Sequence, residues 1–178
     1  MWRPAWSAWR RGLLHHSTGP GSAALVQRVA PGVPYADRML HQFNTSLSFE
    51  TRGRGLLDVT RPVADWVAQT GLATGLLTVF VRHTSASLVI QENADPDVRG
   101  DLDRFFARLV PDGDALFRHR DEGADDMPAH VRAALTAVQL SIPLSEGRLA
   151  LGTWQGIYLW EHRLRPHRRE LVLHLLGE

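Results

Sequence analysis

Histidine and carboxylate are the groups with which this chain could do chemistry. It has nine histidines in 178 residues and no cysteine. Disulfides, thiolate metal sites and a cysteine nucleophile are therefore excluded. All 20 basic residues are arginine. Without lysine the chain can form neither a Schiff base nor a P-loop phosphate site. Three histidines lie where a site could form. His83 ends the apolar run Leu76-Leu77-Thr78-Val79-Phe80-Val81 and is followed by Thr84-Ser-Ala-Ser87. His119 and His130 bracket a segment dense in imidazole and carboxylate that includes Glu122, Asp125 and Asp126. Neutral imidazoles are ligands for zinc, and three protein ligands plus an open position is the catalytic arrangement. Such an ion could activate a water or polarise a phosphoryl oxygen. The spacing matches no standard zinc motif, so histidines in polar loops are the competing reading.

Carboxylates at the ends of apolar strands can act as general bases when burial raises their pKa. Glu92 follows Leu88-Val89-Ile90, and Glu161 follows Ile157-Tyr158-Leu159-Trp160. Either could equally be a solvated strand end. The turn Gly152-Thr-Trp-Gln-Gly156 offers Trp154 as a stacking face and Gln155 as a directional amide. It would suit a planar ring, or a plain hairpin. Arg163, Arg165, Arg168 and Arg169 cluster in one stretch. Guanidinium forks match phosphate oxygens. With a net charge of only +1, a solvated loop or a single phosphate contact is favoured over a nucleic-acid groove. No Gly-x-Ser-x-Gly elbow supports Ser85 or Ser87 as a nucleophile.

The elements that must position these groups are readable from periodicity. Phe43, Leu47 and Phe49 alternate with polar residues as in a half-buried strand. Residues 51–55 form a Gly-rich turn, and Thr60 caps a helix to about Gln69, closed by Gly71. Residues 75–82 read as a central strand. Asp95-Pro96 starts a helix on which Val98, Leu102, Phe105, Phe106 and Leu109 share a face. A second helix begins near Pro128, with Val131 and Leu135 inward. Strands follow through Val138–Leu144, Arg148–Leu151, Ile157–Glu161 and Leu171–Leu176. This order predicts a single α+β domain with a largely antiparallel sheet over residues 39–178. Residues 1–38 stand apart, with Trp2, Trp6, Trp9, several arginines and no acidic residue before Asp37. A disordered tail, an organelle transit peptide and a docking arm are the competing readings of that extension. No stretch reaches the roughly 18 apolar residues that would span a bilayer.

Longer motifs now converge. His83-Thr-Ser-Ala-Ser-Leu88 with Glu92-Asn-Ala-Asp-Pro96 and Asp101-Leu102 resembles the hallmark segment of the YjbQ-like family, the UPF0047 or secondary thiamine-phosphate synthase group. His119, Glu122-Gly123 and Asp126-Met-Pro-Ala-His130 resemble its second block. Ile142-Pro143, Gly147-Arg-Leu149, Leu151-Gly-Thr-Trp-Gln155 and Glu161 resemble its third. The resemblance implies a compact α+β subunit in a homotrimer. Net charge and hydropathy add the expectation of no nucleic-acid or membrane partner and a cytoplasmic location, with organelle targeting by residues 1–38 as the alternative. The resemblance also implies a site built around His83, His119 and His130, as ligands of a divalent metal (zinc, or alternatively magnesium) or as catalytic imidazoles, with Glu92, Gln155 and Glu161 as supporting catalytic groups. The implied activity is thiamine-phosphate synthesis from a pyrimidine diphosphate and a thiazole phosphate. A metal-dependent hydrolase of a phosphorylated or planar metabolite, and a non-catalytic trimeric binding protein, are the alternatives.

Overall fold

A computed structural model describes residues 39–178. The predicted extension of residues 1–38 lies outside the described residues. Eleven elements follow in order: β1 (His41–Glu50), β2 (Gly55–Asp58), α1 (Thr60–Gln69), β3 (Gly75–Val81), β4 (Ala86–Glu92), α2 (Pro96–Leu109), α3 (Asp126–Leu135), β5 (Gln139–Ser145), β6 (Arg148–Leu149), β7 (Gln155–Glu161) and β8 (Arg168–Gly177). They form a five-stranded sheet, β1-β8-β3-β5-β6, and a three-stranded sheet, β2-β7-β4. Every pairing is antiparallel. This is the α+β class that the periodicity predicts.

The core lies where the two sheets and α1 turn their apolar faces together. Strand alternation places Leu171, Leu173 and Leu175 of β8 inward beside Leu77, Val79 and Val81 of β3. Val63 and Val67, one helical turn apart, close the core from α1. Burying a leucine of this kind stabilises the fold by about 1.5–3 kcal/mol. The strand β7 is buried from Gly156 to Glu161 because its sheet is covered on both faces.

Several expectations need correction. Thr60 does not cap α1; Val59 holds that position. The Thr60 hydroxyl instead accepts from Ile157 N at 2.8 Å, tying the helix start to β7. Asp95 does cap α2, accepting from Asp97 N at 2.8 Å. Yet α2 has no fully buried residue, and Phe105 and Leu109 are more than half exposed. Only Phe106 reaches an aromatic partner across the fold, its ring 4.9 Å from that of Trp160. The apolar stripe of α2 therefore marks a surface helix with an uncovered edge. Leu135, expected inward on α3, is likewise exposed, while Arg132 takes an inward place. That helix begins at Asp126, two residues before the predicted start.

Candidate metal centre and cavity

The first turns of α3 build the centre. Asp126 and His130 are four residues apart and so share one helix face. His119, in the loop before α3, folds back over that face. The ligating atoms of His119, Asp126 and His130 all lie within 4.8 Å of one another. His119 Nε2 is 2.8 Å from Asp126 Oδ2, and His130 Nε2 is 3.4 Å from the same oxygen.

Two of the three side chains have a further partner that orients them. His130 Nδ1–H donates to Thr84 O at 3.0 Å, which leaves the Nε2 lone pair directed into the cluster. The Asp126 carboxylate is almost fully buried and divided in role: Oδ1 takes Arg163 Nη1 and Oδ2 faces both imidazoles. Arg163 also donates through Nε to Asp125 at 3.1 Å and through Nη2 to Glu122 O at 2.7 Å. Burial alone would raise the pKa of Asp125, but the Leu164 N–H and Arg163 hold it below the ordinary value.

A cavity of roughly 660 Å³ opens beside His130. One wall is apolar, from Phe80, Val138, Ala133 and Ala134; the other is polar, from Arg82, His83, Thr84, Ser85 and Arg169. A second, smaller space of roughly 140 Å³ adjoins His119. The centre therefore borders the larger cavity through one imidazole and the smaller through the other.

The structure redistributes the predicted site. His83 is not in the cluster. Its Nε2 accepts from Glu170 N at 2.9 Å, so that atom is engaged and the ring stands on the cavity wall. Asp126 is the third member of the cluster instead. In the sequence Asp126 stands out only as part of the carboxylate-rich segment; its i,i+4 spacing from His130 is the signal that pairs the two. Glu161 borders the polar wall through Arg169 but is fully buried and fully bonded. It accepts from Arg169 Nε at 2.7 Å, Arg169 Nη2 at 2.5 Å, Thr51 Oγ1 at 2.9 Å and Arg163 N at 3.0 Å. All four lone-pair sites of the carboxylate are taken, so Glu161 serves here as the internal counter-ion of Arg169 and offers no free lone pair.

Glu92 and Gln155 are paired with each other at one end of the three-stranded sheet, whereas Ala86 and Glu161 pair at the other. Six residue steps separate those ends, roughly 20 Å at strand rise. The Glu92 end is thus remote from the histidines. Gln155 Oε1 accepts from Gly152 N at 2.8 Å and shapes its own turn, which leaves Trp154 well exposed there. The buried pair Ser87 and His162, 2.8 Å apart from Oγ to Nε2, was also missed, because His162 reads as part of an Arg-rich loop.

This two-sheet α+β fold, with imidazoles gathered at the start of α3, defines the class. The family profile described as "UPF0047 protein YjbQ-like" matches residues 45–178. The chain is 56% identical over 137 residues to UPF0047 protein sll1880 of Synechocystis, covering 77% of this chain and 93% of that protein. It is 45% identical over 143 residues to UPF0047 protein YjbQ of Salmonella typhimurium, covering 79% and 100%. Among solved structures, a YbjQ-like protein of unknown function from Sulfolobus solfataricus superposes with a TM-score of 0.71 at 25% identity, covering 79% of this chain and all of that one. A conserved hypothetical protein from Thermus thermophilus gives 0.64 at 37% identity, covering 72% and 97%. The chain belongs to the YjbQ-like UPF0047 family. No helix among the described residues is long and apolar enough to cross a membrane.

Proposed function

We propose that the chain is a divalent-metal-dependent transferase acting on small phosphorylated molecules, with His119, Asp126 and His130 as metal ligands. The observation that carries this reading is that His130 belongs both to the three-ligand cluster and to the cavity wall. Two ligands about 2.0–2.1 Å from a tetrahedral centre stand roughly 3.4 Å apart, as His130 and Asp126 do, whereas His119 and Asp126, hydrogen-bonded at 2.8 Å, would separate by about 0.6 Å to admit an ion. Two imidazoles and one carboxylate favour zinc over magnesium, which prefers oxygen ligands. A bound ion would supply Lewis-acid stabilisation of charge on a phosphoryl oxygen.

Transfer is better supported than hydrolysis for a specific reason. Base-assisted hydrolysis needs a carboxylate free to take the proton of water, and neither Glu161 nor Glu92 stands at the cavity with a free lone pair. Displacement of pyrophosphate needs charge stabilisation and exclusion of water more than a base. Thiamine-phosphate formation is the first reaction to assay. Trp154 lies at the far end of the three-stranded sheet, so the ring of a substrate in this cavity would meet Phe80 and Val138 instead.

Elemental analysis tests the ligand set. Near-stoichiometric zinc is expected in the purified protein, lost in His119→Ala, Asp126→Asn and His130→Ala and retained in His83→Ala. Loss in His83→Ala as well would restore that residue to the ligand set. A protein that neither contains metal nor takes it up would end the metal reading.

The homotrimer that the family resemblance implies is proposed as well, and one exposed sheet face offers it a surface. The outward face of the five-stranded sheet aligns Leu76 with Leu176 and Phe80 with Val172, and Leu76, Phe80 and Leu176 are each more than a third exposed. Such a row is the kind of surface subunits cover. Light scattering should give three times the chain mass of 19.9 kDa, and Leu76→Glu, on the same face but away from the cavity, should lower it. A monomeric wild type would refute the assembly.

A further inference from the structure

The polar wall of the large cavity offers hydrogen-bond donors with no acceptor facing them. Arg169 is the central group. Its side chain is only 5% exposed, and its Nε and Nη2 are bonded to Glu161 and Ser85. Its Nη1 makes no hydrogen bond among the described residues, although Arg169 lines the cavity. His83 adds a second donor. Because Nε2 accepts from Glu170 N, the ring proton must sit on Nδ1. Ser85 adds a third: its Oγ accepts from Arg169 Nη2, so its own O–H remains free to donate. Thr84 brings another hydroxyl to the same wall.

We infer that Arg169, His83 and Ser85 form an oxyanion subsite in this cavity, built for the phosphoryl group of a ligand whose apolar body lies against Phe80 and Val138. A buried guanidinium with a free edge is costly unless something accepts from it. Water can do so in the free protein, and an oxyanion does so more strongly because the acceptor is charged. Three or more donors suit the three terminal oxygens of a phosphoryl group better than the two of a carboxylate. Glu161 balances the charge of Arg169, so the subsite binds through directed donors and its affinity for a bare ion is modest. His83 has the character this requires: burial and the neighbouring Arg169 keep its pKa below the ordinary value, so its ring stays neutral at pH 7.

The subsite shares its cavity with the proposed metal centre but does not depend on the metal. The test therefore uses the full chain stripped of metal in chelator, with inorganic phosphate and acetate as probes in calorimetric titrations. Phosphate should bind in the millimolar range and more tightly than acetate. His83→Phe, which keeps a ring and removes the donor, and Ser85→Ala should each weaken phosphate about tenfold, the loss expected for one hydrogen bond to a charged group. Thermal unfolding of both variants confirms that they are folded. No phosphate binding to the metal-free wild type, acetate binding as tightly as phosphate, or unchanged affinity in both folded variants would each overturn the assignment. A protein that binds phosphate here yet fails the elemental analysis would lose the metal reading and keep the subsite.

Discussion

Glu161→Gln should lower the unfolding free energy by about 3–5 kcal/mol, the usual cost of removing one partner from a buried ion pair. The isosteric amide fits the space but presents an NH₂ to donors that all point inward: Arg169 Nη2 at 2.5 Å, Arg169 Nε at 2.7 Å, Thr51 Oγ1 at 2.9 Å and Arg163 N at 3.0 Å. It also leaves the Arg169 guanidinium uncompensated in the interior. Burial by itself would raise the Glu161 pKa, but Arg169, the Arg163 N–H and Thr51 outweigh it and hold the carboxylate ionised. Replacing both partners, Glu161→Met with Arg169→Met, should recover much of the loss, since the desolvation penalty leaves with the charges. Urea unfolding of the three proteins decides the matter. A Glu161→Gln protein of wild-type stability that had lost only turnover would restore the carboxylate to a catalytic role.

Local pattern made much of the fold legible. Alternation in Phe43–Phe49 and Val138–Leu144, the Asp95-Pro96 helix start and the apolar run of β3 all appear where the spacing places them. Each of these signals is short-range, a period of two or of 3.6 read within one element. The failures are of a different kind. Glu92 and Glu161 are both acids that follow apolar strands, and nothing local tells them apart. Their fates are set by the antiparallel register of β4 on β7, which pairs Glu92 with Gln155 at one end and Ala86 with Glu161 at the other. Periodicity also marks which side of α2 is apolar without saying whether anything covers it, and Phe105 and Leu109 remain exposed.

One buried charge was readable in principle. Arg169 has the same strand parity as Leu171, Leu173 and Leu175, so a strand begun at Arg168 turns it inward with them. The Arg-rich composition of the loop hid that parity. Arg163 carried no such signal: its place beside Asp125, Asp126 and Glu122 depends on a contact across some 40 residues of chain. The cluster of His119, Asp126 and His130 falls between these cases. Asp126 and His130 could be paired by helical spacing, but the return of His119 onto them is tertiary.

The buried His162 makes stability strongly dependent on pH. Its ring is 1% exposed, 2.8 Å from Ser87 Oγ and 5.2 Å from the ring of Trp160. Burial, together with Arg132, Arg54 and Arg169, outweighs the opposing pull of Glu161 and lowers its pKa from 6.5 to about 3. The unfolded chain therefore takes up this proton first as pH falls. The contribution of His162 is fully present above pH 6.5 and is lost progressively between 6.5 and about 3, up to about tenfold in the folding equilibrium per pH unit for the one group. His83, whose pKa is also lowered by burial and Arg169, adds to the slope near its upper end. Urea unfolding at pH 7.5 and 5.5 should show the fall, in chelator so that proton exchange at metal ligands does not contribute. His162→Gln should be less stable at pH 7.5, through the lost ring packing, yet lose less on acidification than the wild type. Parallel pH profiles for the two proteins would mean that His162 is not the group that titrates, and that Ser87 and Trp160 hold a ring able to accept charge in place.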